Sequence, residues 1–234
     1  MSTTKLIATS ALLATVIIAP AISFADQGDW IIRVGAAMVD PDASSDPIDI
    51  AGLVTLDGVD VDSDTQLGIT GTYMFRDKWG VSLLAATPFE HDISISNTDL
   101  AAGSTKHLPP TLTLQWYPRG GNDGWQPYLG LGINYTGFFD EEVDPELEAA
   151  LGVITEPVTG VTDPVPASLS LNNSWGVALQ AGIDIPLNDR WALNAGLWWI
   201  DIDTKATIGT ELGDVKFDVE LDPWVYMIGV AYTF

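Results

Sequence analysis

The chain closes on Tyr226-Met227-Ile228-Gly229-Val230-Ala231-Tyr232-Thr233-Phe234. Every second residue from Tyr226 onward is large and apolar, and the residues between are mostly small. Alternate side chains of a strand point to opposite faces, so this strand is greasy on one side and slim on the other up to its last residue. A soluble domain has little reason to end on an aromatic that closes a strand. An outer-membrane barrel does, because its last strand must close against its first. On this stretch alone the competing reading is an edge strand of a soluble sandwich.

The other end of the chain favours the barrel. Lys5 supplies a positive n-region, residues 6–19 are an apolar h-region, and Ser23-Phe24-Ala25 places small residues where cleavage requires them. Residues 1–25 therefore read as a cleaved secretory signal peptide, which leaves 26–234 as a single barrel domain. The apolar run is shorter than the roughly 20 residues that a helical span needs. No later stretch is long and apolar enough to be such a span.

Composition fits an exported, membrane-facing chain. There is no cysteine, so no disulfide framework and no thiol metal site can form. The net charge is −23, from 32 acidic and 9 basic residues, which excludes the clustered Lys and Arg that nucleic acid requires. The mean hydropathy is nevertheless +0.20. Charges and apolar residues must therefore be segregated along the chain. Asp40 to Asp64 carries eight acids and no base, and Asp140 to Asp163 does the same. Both segments hold many prolines and glycines and read as long loops. The connections on the other side are short: Arg76-Asp77-Lys78, Pro118 to Gly124, and Leu187-Asn188-Asp189-Arg190. Short turns at one rim and long loops at the other is the layout of a bacterial barrel, with the short turns periplasmic.

Between these connections run segments with period-two alternation, as membrane strands require. They span Trp30 to Val39, Thr65 to Phe75, a third from Trp79, Leu108 to Tyr117, Trp125 to Phe139, Leu169 to Ile185, a seventh from Trp191 past Asp203, and Val215 to Phe234. The predicted fold is all-β: an eight-stranded antiparallel transmembrane β-barrel with short periplasmic turns and long acidic extracellular loops. An even count lets the ends meet. Trp30, Trp79, Trp125, Trp191, Tyr117 and Phe234 fall near the turn-side strand ends, where an interfacial aromatic girdle belongs.

Seven segments, in order across nearly the whole mature chain, resemble the OmpW family of small outer-membrane barrels. They are Thr65-Gln66-Leu67-Gly68-Ile69-Thr70, Leu83-Leu84-Ala85-Ala86-Thr87-Pro88-Phe89, His107-Leu108-Pro109-Pro110-Thr111-Leu112, Gly132-Ile133-Asn134-Tyr135-Thr136, Phe138-Phe139-Asp140, Asp201-Ile202-Asp203-Thr204 and Leu221-Asp222-Pro223-Trp224-Val225. The resemblance implies an eight-stranded barrel in the bacterial outer membrane, with a narrow apolar lumen and a part in the uptake of small hydrophobic molecules. The segment from Asp140 to Ser174 departs from it, being longer, more acidic and richer in proline.

An eight-stranded interior is just wide enough to be filled by side chains, so a conduit needs small lining residues. With the large apolar parity facing lipid, the opposite parity gives Arg33, Gly35 and Ala37, then Gly80, Ser82, Leu84 and Ala86. It continues with Gly130, Gly132 and Asn134, with Gly176, Ala178, Gln180 and Gly182, and with Gly229 and Ala231. This face is slim and poor in charge; the same small residues would also serve strand curvature alone. Met74, Gln115, Gln180 and Met227 are the larger lumen-lining candidates. Leu84 and Trp198 point inward by parity, and their places resemble the family's apolar constriction; plain core packing is the alternative.

Pro88 and the pair Pro109 and Pro110 interrupt neighbouring strands at one height, each lacking a backbone donor. Unpaired backbone is costly against lipid, so the break must sit at the outer rim or line a cavity. It marks a candidate lateral opening, or simply the end of the embedded wall. Catalysis finds little support: His91 is followed by Asp92 and Ser94, but no Gly-x-Ser-x-Gly elbow is present, and His91 and His107 read as solvated loop residues. No catalytic residue, metal site or cofactor is assigned. Asp201 and Asp203 share a face near the outer rim and read as rim hydrogen-bonding groups. The acidic run Asp140 to Glu146 lacks EF-hand spacing, and Pro145 to Leu151 is a candidate helical turn.

Two function classes follow. One is a passive channel-type protein for small hydrophobic molecules with lateral release into the membrane. The other is a closed structural barrel whose loops receive a phage, toxin or host partner. The expected partners are outer-membrane lipid, small hydrophobic ligands and, during biogenesis, the barrel-assembly machinery, with no nucleic acid.

Overall fold

The alternation at the C-terminus becomes the seam of a closed wall. The computed structural model describes residues 25–120 and 124–234. Residues 1–24 of the predicted signal peptide, and Gly121, Asn122 and Asp123 of the second turn, lie outside the described residues. Eight strands form the wall: β1 (Trp30–Asp40), β2 (Asp64–Arg76), β3 (Trp79–Ala86), β4 (Thr111–Trp116), β5 (Gln126–Val143), β6 (Ser174–Pro186), β7 (Trp191–Ile200) and β8 (Trp224–Thr233). Each pairs antiparallel with its neighbours in the chain, and β8 returns to β1 with Thr233 opposite Ile31 and Trp224 opposite Asp40. Closure leaves no sheet edge, which is what lets strands cross lipid with every backbone group paired.

Burial follows the period-two pattern. Along β8, Trp224, Tyr226, Ile228 and Val230 are exposed on the outer face, while Val225, Met227 and Ala231 are buried inside. The same outward parity presents Leu67, Ile69, Leu83, Leu112, Leu131 and Ile133 to the bilayer. Where β8 meets β1, Gly35 lies opposite Gly229, and a Cβ on Gly229 would stand 2.2 Å from the Val34 carbonyl oxygen. Only glycine fits at that seam. Trp30, Trp79, Trp125, Trp191 and Phe234 ring the turn side with their faces exposed. Tyr117 does not join them, contrary to the sequence reading; it is buried inside the barrel, where Arg33 donates to its hydroxyl.

The predicted long loops are largely built structure. Phe89–Ile95 and Ala101–Leu108 form a hairpin that carries β3 and β4 outward, and this hairpin also pairs with the outer half of β5 and with Val59–Val61. A second outer sheet orders Ala167–Leu171, Asp203–Thr210, Gly213–Glu220 and Ser44–Ser45. The predicted sixth, seventh and eighth strands therefore need correction. They were expected to run unbroken, but each stops at the rim, at Asn172-Asn173, at Asp201-Ile202 and at Leu221-Asp222-Pro223. The chain changes partner there, and Asp222 takes a positive φ of 34° to do so.

The acidic segment after β5 forms helix α1 (Pro145–Thr159), longer than the predicted turn. Asp144 caps it by accepting from the Glu146 N–H at 2.8 Å, Pro145 suits the first turn, and Glu146 and Glu148 complement the helix dipole. Gly160 ends it in the left-handed region. Its buried face, Leu147 and Leu151, joins the apolar cluster of the barrel mouth.

The wall sets a depth-dependent tolerance for charge. Ile228→Arg, in the middle of the lipid face, is expected to cost about 2–4 kcal/mol, whereas Leu187→Arg at the periplasmic turn costs about 0–1 kcal/mol. Urea unfolding in lipid vesicles measures both.

Candidate functional site

The interior divides into two chemically different halves. Toward the periplasmic turns it is filled by a hydrogen-bonded plug with members from seven of the strands or their ends. Arg33 of β1 reaches across to Asp184 of β6, its Nε donating to Oδ1 at 3.0 Å and its Nη2 to Oδ2 at 2.6 Å, and both side chains are fully buried. Arg33 also donates to Thr72 of β2 at 2.8 Å and to Tyr117 at 3.0 Å, and stands over the Tyr128 ring of β5. Thr72 bonds Ser82 of β3; Tyr117 donates to Gln115 of β4 at 2.7 Å; Asn194 of β7 donates to Asp184 and to Tyr128. Gln115 then donates to Gln180 at 2.8 Å, and Thr113 does so at 2.9 Å. A buried pair with this many satisfied bonds is rigid; either charge alone would be strongly unfavourable.

The slim positions are occupied. A Cβ on Gly182 would fall 2.3 Å from the Tyr128 ring, one on Gly130 would fall 2.8 Å from Gln180, and one on Gly196 would fall 2.6 Å from the Trp198 ring. Small residues here make slots for large neighbours rather than leave a continuous bore. The expectation of a charge-poor apolar lumen is thus corrected for the periplasmic half. Gln115 and Gln180 line the interior as members of the plug. Met74 lies with Ile31, Tyr117, Tyr128, Ala192 and Ala231 in a separate apolar cluster at the turn end.

The outer half is apolar. Leu84 (5% exposed), Trp198 (1%) and Met227 (1%) are buried in one cluster with Ala37, Ala178 and Val225, and Met227 lies against the Gly68 slot. Above them, at the mouth of the barrel, is a narrow apolar cavity of about 50 Å³. Its walls come from the outer hairpins, from β5 and from Leu147 of α1.

Beside this cavity the wall is incomplete. The last β3–β4 pair is Leu84 with Thr111, and pairing resumes at Phe89 with His107. Among the described residues no ladder pair joins 85–88 to 108–110. Pro88, Pro109 and Pro110 all fall in this interval. The other sides of the break are satisfied: the Thr87 N–H bonds the Leu67 carbonyl at 3.0 Å, and the Pro110 carbonyl accepts from Tyr135 N–H at 3.1 Å and from the Asn134 side chain at 3.3 Å. The gap is therefore confined to the β3–β4 seam.

His91 and His107 are not solvated, contrary to the sequence reading. Each is 2% exposed, and their rings stack at 4.8 Å on the cavity wall. The signal was present in Phe89-Glu90-His91-Asp92-Ile93, whose alternation puts His91 on the apolar face and Asp92 outside. His91 Nδ1 meets the Asp62 carbonyl rather than Asp92 or Ser94. Burial holds the His107 imidazole down to about 3, helped by the neighbouring His91 and opposed by the Asp64 carboxylate. Burial also lowers His91, against the Asp62 carbonyl bond and the carboxylates of Asp64, Asp62 and Asp92. At the rim, Asp201 and Asp203 are joined by Asp222, with one oxygen of each within 4.8 Å of the others. Asp201 accepts from Val177 N–H and Asp222 from Ile202 N–H. Burial and these neighbouring carboxylates raise the Asp203 carboxyl.

Comparison with known proteins places this architecture. The OmpW family model matches residues 26–234. Outer membrane protein W of Vibrio cholerae is 42% identical over 212 residues, covering 89% of this chain and 89% of that protein. The crystal structure of the outer membrane protein OprG from Pseudomonas aeruginosa is similar at 45% identity and a TM-score of 0.77, over 91% of this chain and 99% of that one. The solution structure of Escherichia coli outer membrane protein W is similar at 38% identity and a TM-score of 0.56, over 89% and 99% of the two chains.

Two outcomes follow from the geometry. Asp184→Ala leaves Arg33 buried and unpaired and is expected to cost about 3–5 kcal/mol, much of it recovered in the Arg33→Met/Asp184→Leu double variant. Urea unfolding in lipid reads both. The histidines set a pH dependence. Unfolded, they titrate near the ordinary value of about 6.5; folded, both are held lower. Below that value the unfolded chain takes up protons that the native state refuses. Their contribution is thus complete above about pH 6.5 and declines as the pH falls toward 3. Carboxylates titrate in the same window, so the measurement is the difference in acid sensitivity between wild type and His107→Phe, which should be the less acid-sensitive.

Proposed function

This chain belongs to the OmpW family of the bacterial outer membrane, and we propose that it provides a passive route for small hydrophobic molecules across that membrane. One observation carries the reading: an apolar cavity at the mouth stands over a polar plug, next to a wall seam where ladder pairing is interrupted. A hydrophobic solute enters from the outer layer, meets Leu84 and Trp198 as the constriction, and cannot continue downward without breaking the Arg33–Asp184 network. It leaves sideways through the interval that holds Pro88, Pro109 and Pro110. Transfer of apolar surface from water to hydrocarbon drives the passage, at roughly 25 cal/mol per Å². The same reading takes residues 1–25 as the cleaved export signal, 26–234 as the barrel domain, and the assembly machinery as the partner that inserts it.

A second reading is a structural barrel whose outer layer receives a phage, toxin or host molecule. The filled periplasmic half and the ordered acidic outer layer favour it. Liposomes separate the two. Leu84→Asp and Trp198→Asp are each expected to cut uptake of an apolar fluorescent tracer about tenfold, equivalent to about 1.4 kcal/mol. Equal uptake by wild type and variants, or none by any, favours the structural barrel. Replacing Pro88, Pro109 and Pro110 by Ala restores backbone donors at the seam and should slow uptake; unchanged uptake would remove the lateral opening from the route.

A further inference from the structure

The apolar cavity contains a polar feature that a route for bare hydrocarbon does not need. Among the described residues, its polar lining residues are His91, Thr105, His107 and Thr204. The Thr204 hydroxyl is used, donating to the Asn172 carbonyl at 2.6 Å, and that of Thr105 donates to the Lys106 carbonyl at 3.5 Å. The Nε2 atoms of His91 and His107 are buried and have no partner. His91 Nδ1 faces a carbonyl oxygen, so its proton is there and Nε2 carries a bare lone pair. Stacking on His107, which is itself wedged between Phe89 and Phe138, holds the pair in place.

Their position is as informative as their state. His91 lies just beyond Pro88 and His107 just before Pro109, so the pair stands on the first rungs of the hairpin beyond the seam between β3 and β4. A buried acceptor without a donor is unfavourable, and a hydrocarbon in the cavity leaves it so. A ligand hydroxyl removes the deficit. We propose that the cavity is a binding site for small hydrophobic molecules that carry one hydroxyl, alcohols and phenols, with the O–H donated to His91 Nε2 and the apolar body among Ile93, Ile202 and Phe217. His107 stacks behind it and positions the ring. The proposal deepens the uptake reading and rests on it for the onward route, whereas binding itself is measured separately.

The test uses the full barrel in phosphatidylcholine nanodiscs and the matched fluorescent pair 2-naphthol and naphthalene, each corrected for partition into empty discs. Wild type is expected to prefer 2-naphthol about tenfold, the effect of one well-placed hydrogen bond in an apolar site. His91→Phe keeps the ring volume and should lose most of that preference while naphthalene affinity is held or improved. A measurement without substitution guards against a variant that does not fold: in ¹⁵N-histidine-labelled wild type, 2-naphthol should shift the His91 Nε2 resonance and naphthalene should not. Naphthalene binding with no preference for 2-naphthol, or a preference that His91→Phe leaves intact, overturns this inference and spares the uptake reading. Binding of neither probe overturns both.

Discussion

Lipid offers no hydrogen bonds, and the rest of this molecule follows from that. Every backbone N–H and C=O in the membrane must find a partner in the wall, so the eight strands close and β8 meets β1. The constraint also gives meaning to the β3–β4 seam, where the ladder is interrupted. Prolines remove donors at Pro88, Pro109 and Pro110, while β2 and β5 satisfy the flanking groups from the other sides. The unpaired interval is thereby confined to the side between β3 and β4, next in sequence to His107 of the cavity wall. A break of this kind in mid-wall would be untenable; beside a cavity at the outer end it can be tolerated.

The interior solves a second problem, that of filling a cylinder too narrow for water to be useful. Glycine on one strand and a large side chain on the next interlock: Gly182 with Tyr128, Gly196 with Trp198, Gly130 with Gln180, Gly68 with Met227. In the periplasmic half the interlocked groups are polar and are joined by hydrogen bonds across the strands. In the outer half they are apolar. The boundary between these halves is where Trp198 and Gln180 stand opposite each other on β7 and β6. An apolar solute therefore meets a rising cost only if it continues along the axis.

How much of this the sequence disclosed depended on whether alternation alone decided the outcome. The strand count, the lipid-facing parity and the inward placement of Arg33, Leu84 and Trp198 were legible, because period two fixes a face without reference to partners. The plug was half legible: the same parity carries from Gln180 through Gly182 to Asp184, but pairing Arg33 with Asp184 needs the curvature that brings β1 across from β6. Tyr117 was misplaced because an aromatic near a strand end has the same sequence signature whether it turns toward lipid or inward. The outer layer was the least legible. Acidic residues with proline and glycine read as solvated loop, yet Ile48, Val59 and Leu147 spaced among them supply an apolar face. The charges remain outside that face, where Lys106, Lys205 and Lys216 each contact a carboxylate.

That segregation explains how a chain with a net charge of −23 can hold an apolar cavity at the barrel mouth. The carboxylates face water on the outside of short strands, and alternation directs every second residue into the mouth. His91 and His107, with Thr105 and Thr204, are the exceptions to the apolar rule on that inner face. Their neutrality is what makes them tolerable there, and their unpaired nitrogens are what distinguish the mouth from the greasy clusters below. A wall built only to exclude water would have had aliphatic residues at both positions; imidazoles keep the cavity apolar in bulk while leaving two buried ring nitrogens without a partner.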